Sequence, residues 1–460
     1  MLNKFFGTKQ FYKHLILLTV PIMIQNGITN FVNMLDNIMV GQVGTVQMTG
    51  VAVSNQLIFV FNLCVFGALS GAGIFGAQFY GKGDHKGFRD TFRFKMIFCV
   101  AITLICTGIF LIFGENLISF YLKGEGNPED AALSLIYAKK YLFVMLIGMI
   151  PYTIAQCYAS TLREKGQTVV PMVAGISAVV VNLSLNYVLI FGKLGAPKLG
   201  VVGAAVATVV SRFAELIVVA AWTHLHKKEN QFIVGAFKSF KIPRKLCGQI
   251  IIKGLPLMIN ETLWAAGIAT INQCYSVKGL SVVAATNIST TFYNVFSVSF
   301  IAVGMSIGII LGQQLGSGQS KENVRNTARH CITFSVLLSA AVGIIYAIIS
   351  VFIPNAYNTT AEVREIATGF MQITALTMPI EGYVNAAYFT LRSGGKAFIT
   401  FLFDSCFMWG VSVLIAFILC NYTTLPILTI YLICQLINFI KCIIGYIFIK
   451  KGVWIKNIVN

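Results

Sequence analysis

Long apolar runs separated by short polar, basic stretches set the pattern of this chain. Twelve such runs occur, near residues 14–39, 49–76, 94–114, 135–161, 168–191, 201–223, 250–276, 283–313, 331–353, 366–391, 398–420 and 425–449. A helix needs about 20 apolar residues to cross a bilayer, and each run supplies roughly that. Backbone groups facing lipid must find partners within their own segment, so each run predicts an α-helix. The alternation of a membrane β-barrel strand is absent. Pro21, Pro151, Pro171, Pro256 and Pro379 fall inside runs, where membrane helices tolerate them and bend. The first run follows Lys4, Lys9 and Lys13, as in a secretory signal peptide. It stays apolar to Met39 with no small-residue cleavage site, so it predicts a first transmembrane helix.

Composition agrees. Of 460 residues, 57% are hydrophobic and 11% charged, and the mean hydropathy is +0.78. This excludes an ordinary soluble enzyme and a disordered chain. The net charge of +18 would suggest nucleic acid in a soluble protein. Here the positions of the charges give a different reading. With a cytoplasmic N-terminus, 25 of the 34 basic residues lie on the inside, among them Lys82, Arg93, Arg163, Lys227, Arg244, Lys321, Arg392 and Lys450. Seven lie outside: Lys123, Lys139, Lys140, Lys193, Lys198, Lys278 and Arg364. The bias predicts a multi-pass protein of the cell membrane with both termini cytoplasmic and no nucleic-acid partner. The eleven cysteines form no C-x-x-C pair, so a zinc or disulfide framework has no support.

The chain also repeats itself. Pro21-Ile-Met-Ile returns as Pro256-Leu-Met-Ile, and at the same offset Gly44, Ser54, Phe61, Gly73, Gln78, Gly81 and Lys86 meet Gly279, Ser289, Phe296, Gly308, Gln313, Gly316 and Lys321. Leu162-Arg163 with Gly166 returns as Leu391-Arg392 with Gly395. Six helices per repeat return the chain to its starting side, so the halves are parallel repeats about an axis along the membrane normal. The expected organisation is an N-terminal six-helix lobe over 1–223, a basic cytoplasmic loop over 224–249 and a C-terminal six-helix lobe over 250–460. Paired bundles of this kind are an architecture for alternating access.

Several segments carry a recognisable pattern. They are Pro21…Asn33-Met-Leu-Asp36-Asn-Ile-Met-Val-Gly41, Gly76-Ala-Gln-Phe-Tyr-Gly-Lys-Gly83, Asn182-x3-Asn186-Tyr-x-Leu-Ile-Phe-Gly192, Leu199-Gly-x2-Gly203-Ala-Ala-Val-Ala-Thr208 and Leu391-Arg-Ser-Gly-Gly-Lys396. In this order they resemble the multidrug and toxic compound extrusion (MATE) family over about residues 12–450. The resemblance implies an all-α integral membrane protein of twelve transmembrane helices in two V-arranged lobes. It also implies export of amphipathic, often cationic drugs against a Na⁺ or H⁺ gradient.

Seven ionisable residues within the runs stand out: Asp36, Arg212, Glu215, Glu261, Glu381, Asp404 and Lys441. Charge at bilayer depth is costly, so each needs a partner or a task. Thr29, Asn33 and Asp36 share one helical face at i, i+4, i+7 and predict a polar stripe turned to the bundle interior. Oxygen ligands suit a hard cation such as Na⁺, and intramembrane carboxylates also relay protons. A packing hydrogen bond is the plainer alternative. The resemblance adds Asn182 and Asn186 of the fifth helix and Thr208 of the sixth as cation-coupling partners of Asp36. Asn186 stands where the family often has Asp, so it offers an oxygen without a charge. In the second lobe Glu261 and Glu381 are candidates for coupling or substrate contact, or structural carboxylates near proline bends. Arg212 and Glu215 are placed to pair at i, i+3, and Asp404 can pair with Lys441. Met23, Met34, Met39, Met258 and Met305 could give an adaptable lining, or plain core.

Five acids against two bases within the runs favour cationic cargo over the alternative of a flippase for a lipid-linked oligosaccharide, whose polyanionic headgroup calls for more basic residues. An enzyme is not expected, because the five histidines lie at helix ends or in loops and form no catalytic cluster. No G-x-x-x-x-G-K-[ST] loop occurs for ATP drive. The expected partners are small drug-like molecules and the lipid bilayer, with the chain acting as a monomer and no cofactor beyond the coupling ion.

Overall fold

A computed structural model describes residues 5–122 and 127–460. Lys4 and Lys123, counted in the charge bias above, lie outside the described residues. Twelve helices follow in order: α1 Lys9–Gly41, α2 Thr45–Lys82, α3 His85–Leu122, α4 Pro128–Lys165, α5 Val169–Phe191, α6 Val201–Leu225, α7 Arg244–Ser276, α8 Leu280–Gly316, α9 Lys321–Ser350, α10 Ala361–Ser393, α11 Ala397–Tyr422 and α12 Ile427–Lys451. No strand occurs among the described residues. Ten of the helices are long and apolar enough to cross a membrane. The other two, α7 and α10, have 33 residues each and carry Glu261 and Glu381. Their polar residues lower the hydropathy of helices that are long enough to span.

Local chemistry sets several helix ends. Asn127 caps α4 by accepting from the Glu129 N–H at 3.1 Å, with Pro128 at the first turn. Ser320 and Thr360 cap α9 and α10 in the same way. Gly166 closes α4 with φ of 94°, a left-handed conformation that costs glycine nothing.

The chain packs as two compact units. One comprises Ile24–Gly76 and His85–Gln249. Its core joins Phe61, Val65 and Leu69 of α2 to Cys99 of α3 and Leu142, Leu146 and Met149 of α4. Gly203 of α6 lies against the Leu189 backbone of α5, where a Cβ would collide. Small residues of this kind let membrane helices approach closely. The segment after α6 belongs to this unit. Phe232 is buried against Phe88 and Phe92, and Arg93 donates to the carbonyls of Ala236 at 2.8 Å and Gly235 at 2.7 Å. The basic loop is therefore anchored on α3 rather than free.

The other unit comprises Met1–Met23, Ala77–Asp84 and Ile250–Asn460. The end of α2 crosses the end of α8 at two glycines that the repeat relates. A Cβ on Gly81 would strike the Gln313 carbonyl, and one on Gly316 would strike that of Gln78. The C-terminal residues brace the crossing. Gln78 accepts from the Ile458 N–H at 2.8 Å and donates to the carbonyls of Ser393 at 3.0 Å and Lys456 at 3.2 Å. Lys82 donates to the Val459 carbonyl at 2.8 Å. Packing divides the chain at 249/250, where the second lobe is expected to begin, and also at 23/24, 76/77 and 84/85, because the start of α1 and the end of α2 group with the later helices.

Within α11 the backbone widens into π-helical turns at Leu402–Cys406 and Met408–Val413. Such turns are rare and gather at functional sites. This one carries Asp404.

Candidate functional site

Asp36 sits half-buried on α1, and its neighbours come from α5 and α6. Asn186 donates to Asp36 Oδ1 at 2.6 Å and to Asn182 Oδ1 at 3.1 Å. Asn182 and Asn186 are one helical turn apart, so α5 presents both amides on one face. Thr208 of α6 lies 3.2 Å from the Asn182 amide. The Asn182 amide can also turn its nitrogen to the carboxylate, 3.0 Å from Oδ1 and 3.2 Å from Oδ2, with Thr208 then donating to its oxygen. Either way, the groups around the carboxylate are neutral. No Lys or Arg lies within ion-pair distance of Asp36 among the described residues. Asn186 is 1% exposed, and its Oδ1 has no hydrogen-bond partner. A buried amide oxygen without a donor is uncommon and calls for a ligand or a functional reason.

Thr208 also borders a cleft of about 300 Å³ with Asn62, Met149, Tyr152 and Arg212. The Arg212 guanidinium lies 4.6 Å from the centre of the Tyr152 ring and 3.4 Å from Glu215. The i, i+3 pairing expected for Arg212 and Glu215 is therefore present. Met145 and Met149 line the cleft, and neither is among the methionines singled out by sequence.

The sequence-derived set is brought together in part. Asp36, Asn182, Asn186 and Thr208 meet. Thr29 and Asn33 do not join this hydrogen-bonded set. Both are exposed on α1, and Thr29 donates to the Gln25 carbonyl of its own helix at 2.8 Å. A shared helical face does not decide what covers that face.

The second group of candidates lies on α7, α10, α11 and α12. Arg392 is 3.8 Å from Glu261, and the Tyr388 hydroxyl donates to Glu261 at 2.9 Å. Asn260 lies fully buried beside Glu261 in sequence. Its oxygen accepts from the Ser405 N–H at 3.2 Å and the Ser405 hydroxyl at 2.7 Å, which fixes its amide. The amide nitrogen then donates to Tyr388 at 3.3 Å and to Asp404 Oδ2 at 3.1 Å. Lys441 donates to Asp404 Oδ1 at 2.8 Å. One chain of contacts runs from Arg392 through Glu261, Tyr388, Asn260 and Asp404 to Lys441, with two acids matched by two bases. Glu381 stands apart from the ion pairs and accepts from Asn438 at 2.8 Å.

Sequence reasoning missed Asn260, Tyr388, Arg392 and Asn438 as members of this network. Asn260 adjoins Glu261, and Arg392 belongs to a quoted motif, so both carried a signal. It also missed a buried pair, Lys95 with Glu164 at 2.5 Å, supported by Ser160 and Thr161. Gly73 and Gly76 leave room for the Glu164 carboxylate. The apolar run begins at residue 94, next to Lys95, whereas α3 starts at His85 and carries Lys95 inside the helix.

A polytopic helical membrane protein with buried, neutral-ligated and ion-paired carboxylates is the class that fold and site define. The chain belongs to the MatE family, whose model matches residues 21–188 and 256–418. The two matches begin at Pro21 and Pro256, the residues that open the internal repeat. The family is one of membrane transporters rather than enzymes. The chain is 27% identical over 455 residues to a probable multidrug resistance protein NorM of Thermotoga maritima, covering 97% of this chain and 94% of that protein. It is 24% identical over 422 residues to a probable multidrug resistance protein YoeA of Bacillus subtilis, covering 91% and 89%. In fold it is similar to a multidrug resistance MATE family transporter of the MOP superfamily solved in an outward-facing conformation, with a TM-score of 0.84, 18% identity and 95% of each chain covered.

Proposed function

We propose that this chain is a secondary active exporter of small amphipathic, often cationic compounds, driven by Na⁺ or H⁺ antiport through alternating access. The observation that carries the reading is Asp36, an intramembrane carboxylate ringed by neutral Asn182, Asn186 and Thr208, with an unpartnered Asn186 oxygen beside it. A charge kept at that depth without a basic partner needs a mobile counter-ion. Carboxylate, amide and hydroxyl oxygens are the donors a hard cation takes. Cation and cargo then act on the same two-state equilibrium, each favouring one state of the transporter. Of Glu261, Glu381 and Asp404, Glu381 alone has no ion pair among the described residues and is the one we assign to a cationic group of the cargo.

Arg212, Lys441 and the buried Lys95 all have acid partners, Glu215, Asp404 and Glu164 respectively. That leaves little to hold a polyanionic lipid headgroup and argues against the flippase alternative. The basic bias supports both termini on the cytoplasmic side of the cell membrane. Single cysteines at Asn355 and Glu229, in a cysteine-free background, label from outside and inside respectively; the reverse pattern would refute the orientation.

The decisive experiment uses purified protein in liposomes with a Na⁺ or a pH gradient imposed separately, following efflux of an ethidium-like dye. One gradient drives efflux in the wild type, and Asp36→Asn binds dye but does not exchange it. Wild-type efflux in Asp36→Asn would move coupling elsewhere.

A further inference from the structure

Lys441 is a lysine in the middle of an apolar helix, with its side chain only 5% exposed. Three observations define its surroundings. Its ammonium is 2.8 Å from Asp404 Oδ1. Phe403 and Phe407 place their ring centres 5.3 Å and 5.7 Å from it, a cation–π enclosure from the same π-helical stretch that carries Asp404. Asn260 donates its amide N–H to Asp404, and Asn438, three residues before Lys441 on α12, donates its own to Glu381. Without Lys441 the Asp404 carboxylate would be a buried negative charge with an amide N–H and two aromatic rings beside it, and its carboxylate oxygens are donors that a hard cation takes.

The internal repeat sharpens this. The offset that relates Leu162-Arg163 to Leu391-Arg392 also relates Arg212 to Lys441 and Tyr152 to Glu381. Each half thus carries a base at this place in its sixth helix. Arg212 is spent on Glu215 and the Tyr152 ring, which leaves Asp36 without an ion pair. Lys441 is spent on Asp404. We propose that the Lys441 ammonium is a tethered cation occupying what would otherwise be an exchangeable cation site in the second half, so that this half binds no free Na⁺ and the coupling ion is confined to the other. A tethered charge outcompetes a free ion because its local concentration is set by the side chain rather than by the solution.

The test reads Na⁺-dependent thermal stability of purified full-length protein at pH 8, comparing sodium with choline chloride, in an Asp36→Asn background. That background removes any contribution from Asp36, so the outcome does not depend on the function proposed for it. With Lys441 present, sodium is expected to cause no shift. With Lys441→Gln added, sodium raises the melting temperature by about 2 °C or more, as a ligand that binds only the folded state does. Adding Asp404→Asn as well abolishes the shift. A sodium shift with Lys441 intact that Asp404→Asn removes would overturn the proposal, because the site would then exchange cations already. So would a folded, dye-binding Lys441→Gln variant with no sodium shift. Failure of Lys441→Gln to fold in either salt, while the variant also carrying Asp404→Asn folds, would overturn it too, because Na⁺ could then not replace the ammonium.

Discussion

Asp36 and Asp404 are both half-buried aspartates that accept a hydrogen bond from an asparagine amide, at 2.6 Å and 3.1 Å. They differ in one respect. Asp404 has an ammonium at 2.8 Å and Asp36 has no basic group at ion-pair distance among the described residues. A carboxylate with an internal base already has its counter-ion, and breaking that pair leaves a buried charge uncompensated. A carboxylate among neutral amides has no such internal partner. Arg212 and Lys441 stand at the same offset in the two halves, but Arg212 pairs with Glu215 whereas Lys441 pairs with Asp404. On the function proposed above, the first aspartate is free to exchange an ion and the second is not.

The comparison can be broken at four places. Lys441→Met removes the base and keeps the bulk. Asp404 is then buried unpaired, and in sodium-free buffer the expected loss is about 3–5 kcal/mol in a denaturation assay. Adding Asp404→Asn should recover most of it; no recovery would show that Lys441 stabilises by packing instead. Asp36→Asn comes next. It should lower gradient-driven efflux about 100-fold, equivalent to roughly 2.7 kcal/mol, while stability changes by less than about 1 kcal/mol because no ion pair is lost. A large stability loss would place Asp36 with the structural acids. Glu261→Gln leaves Arg392 without its acid at 3.8 Å, and the expected cost is about 1–3 kcal/mol. Glu381→Gln, which breaks no ion pair, should cost less than that and show instead as weaker binding of cationic dye than of a neutral analogue. Asn33→Ala is the control: the residue is exposed and outside the Asp36 set, so stability should stay within about 0.5 kcal/mol, with efflux unchanged. A marked efflux defect there would return Asn33 to the site.

Much of the fold was legible along the chain. Twelve apolar runs became twelve helices because a lipid-facing backbone has no other way to satisfy its hydrogen bonds, and that constraint acts on each segment alone. The repeat was legible for a related reason: duplicated helices keep small residues where they cross, as at Gly81 and Gly316. The Asp36 set was legible through Asp36, Asn182, Asn186 and Thr208. The partners of Thr29 and Asn33 were not legible, because periodicity tells which residues share a face and not what faces them. The extension of α3 to His85 was hidden because its first turns are basic, and Lys95 becomes buried only through Glu164 on another helix.

The sequence by itself determined the elements, their number, the duplication and the identity of the ionisable residues kept at depth. These follow from transfer free energies and helical period, which are properties of short segments. Only the tertiary structure decided which charges meet. Whether a base reaches Asp36 or Asp404 depends on gaps of a few ångströms between helices distant in sequence, on a π-helical turn that carries Asp404, and on an amide whose orientation Ser405 fixes. Electrostatic energy changes steeply over those distances, so which aspartate has a base beside it was decided by packing and not by the order of residues.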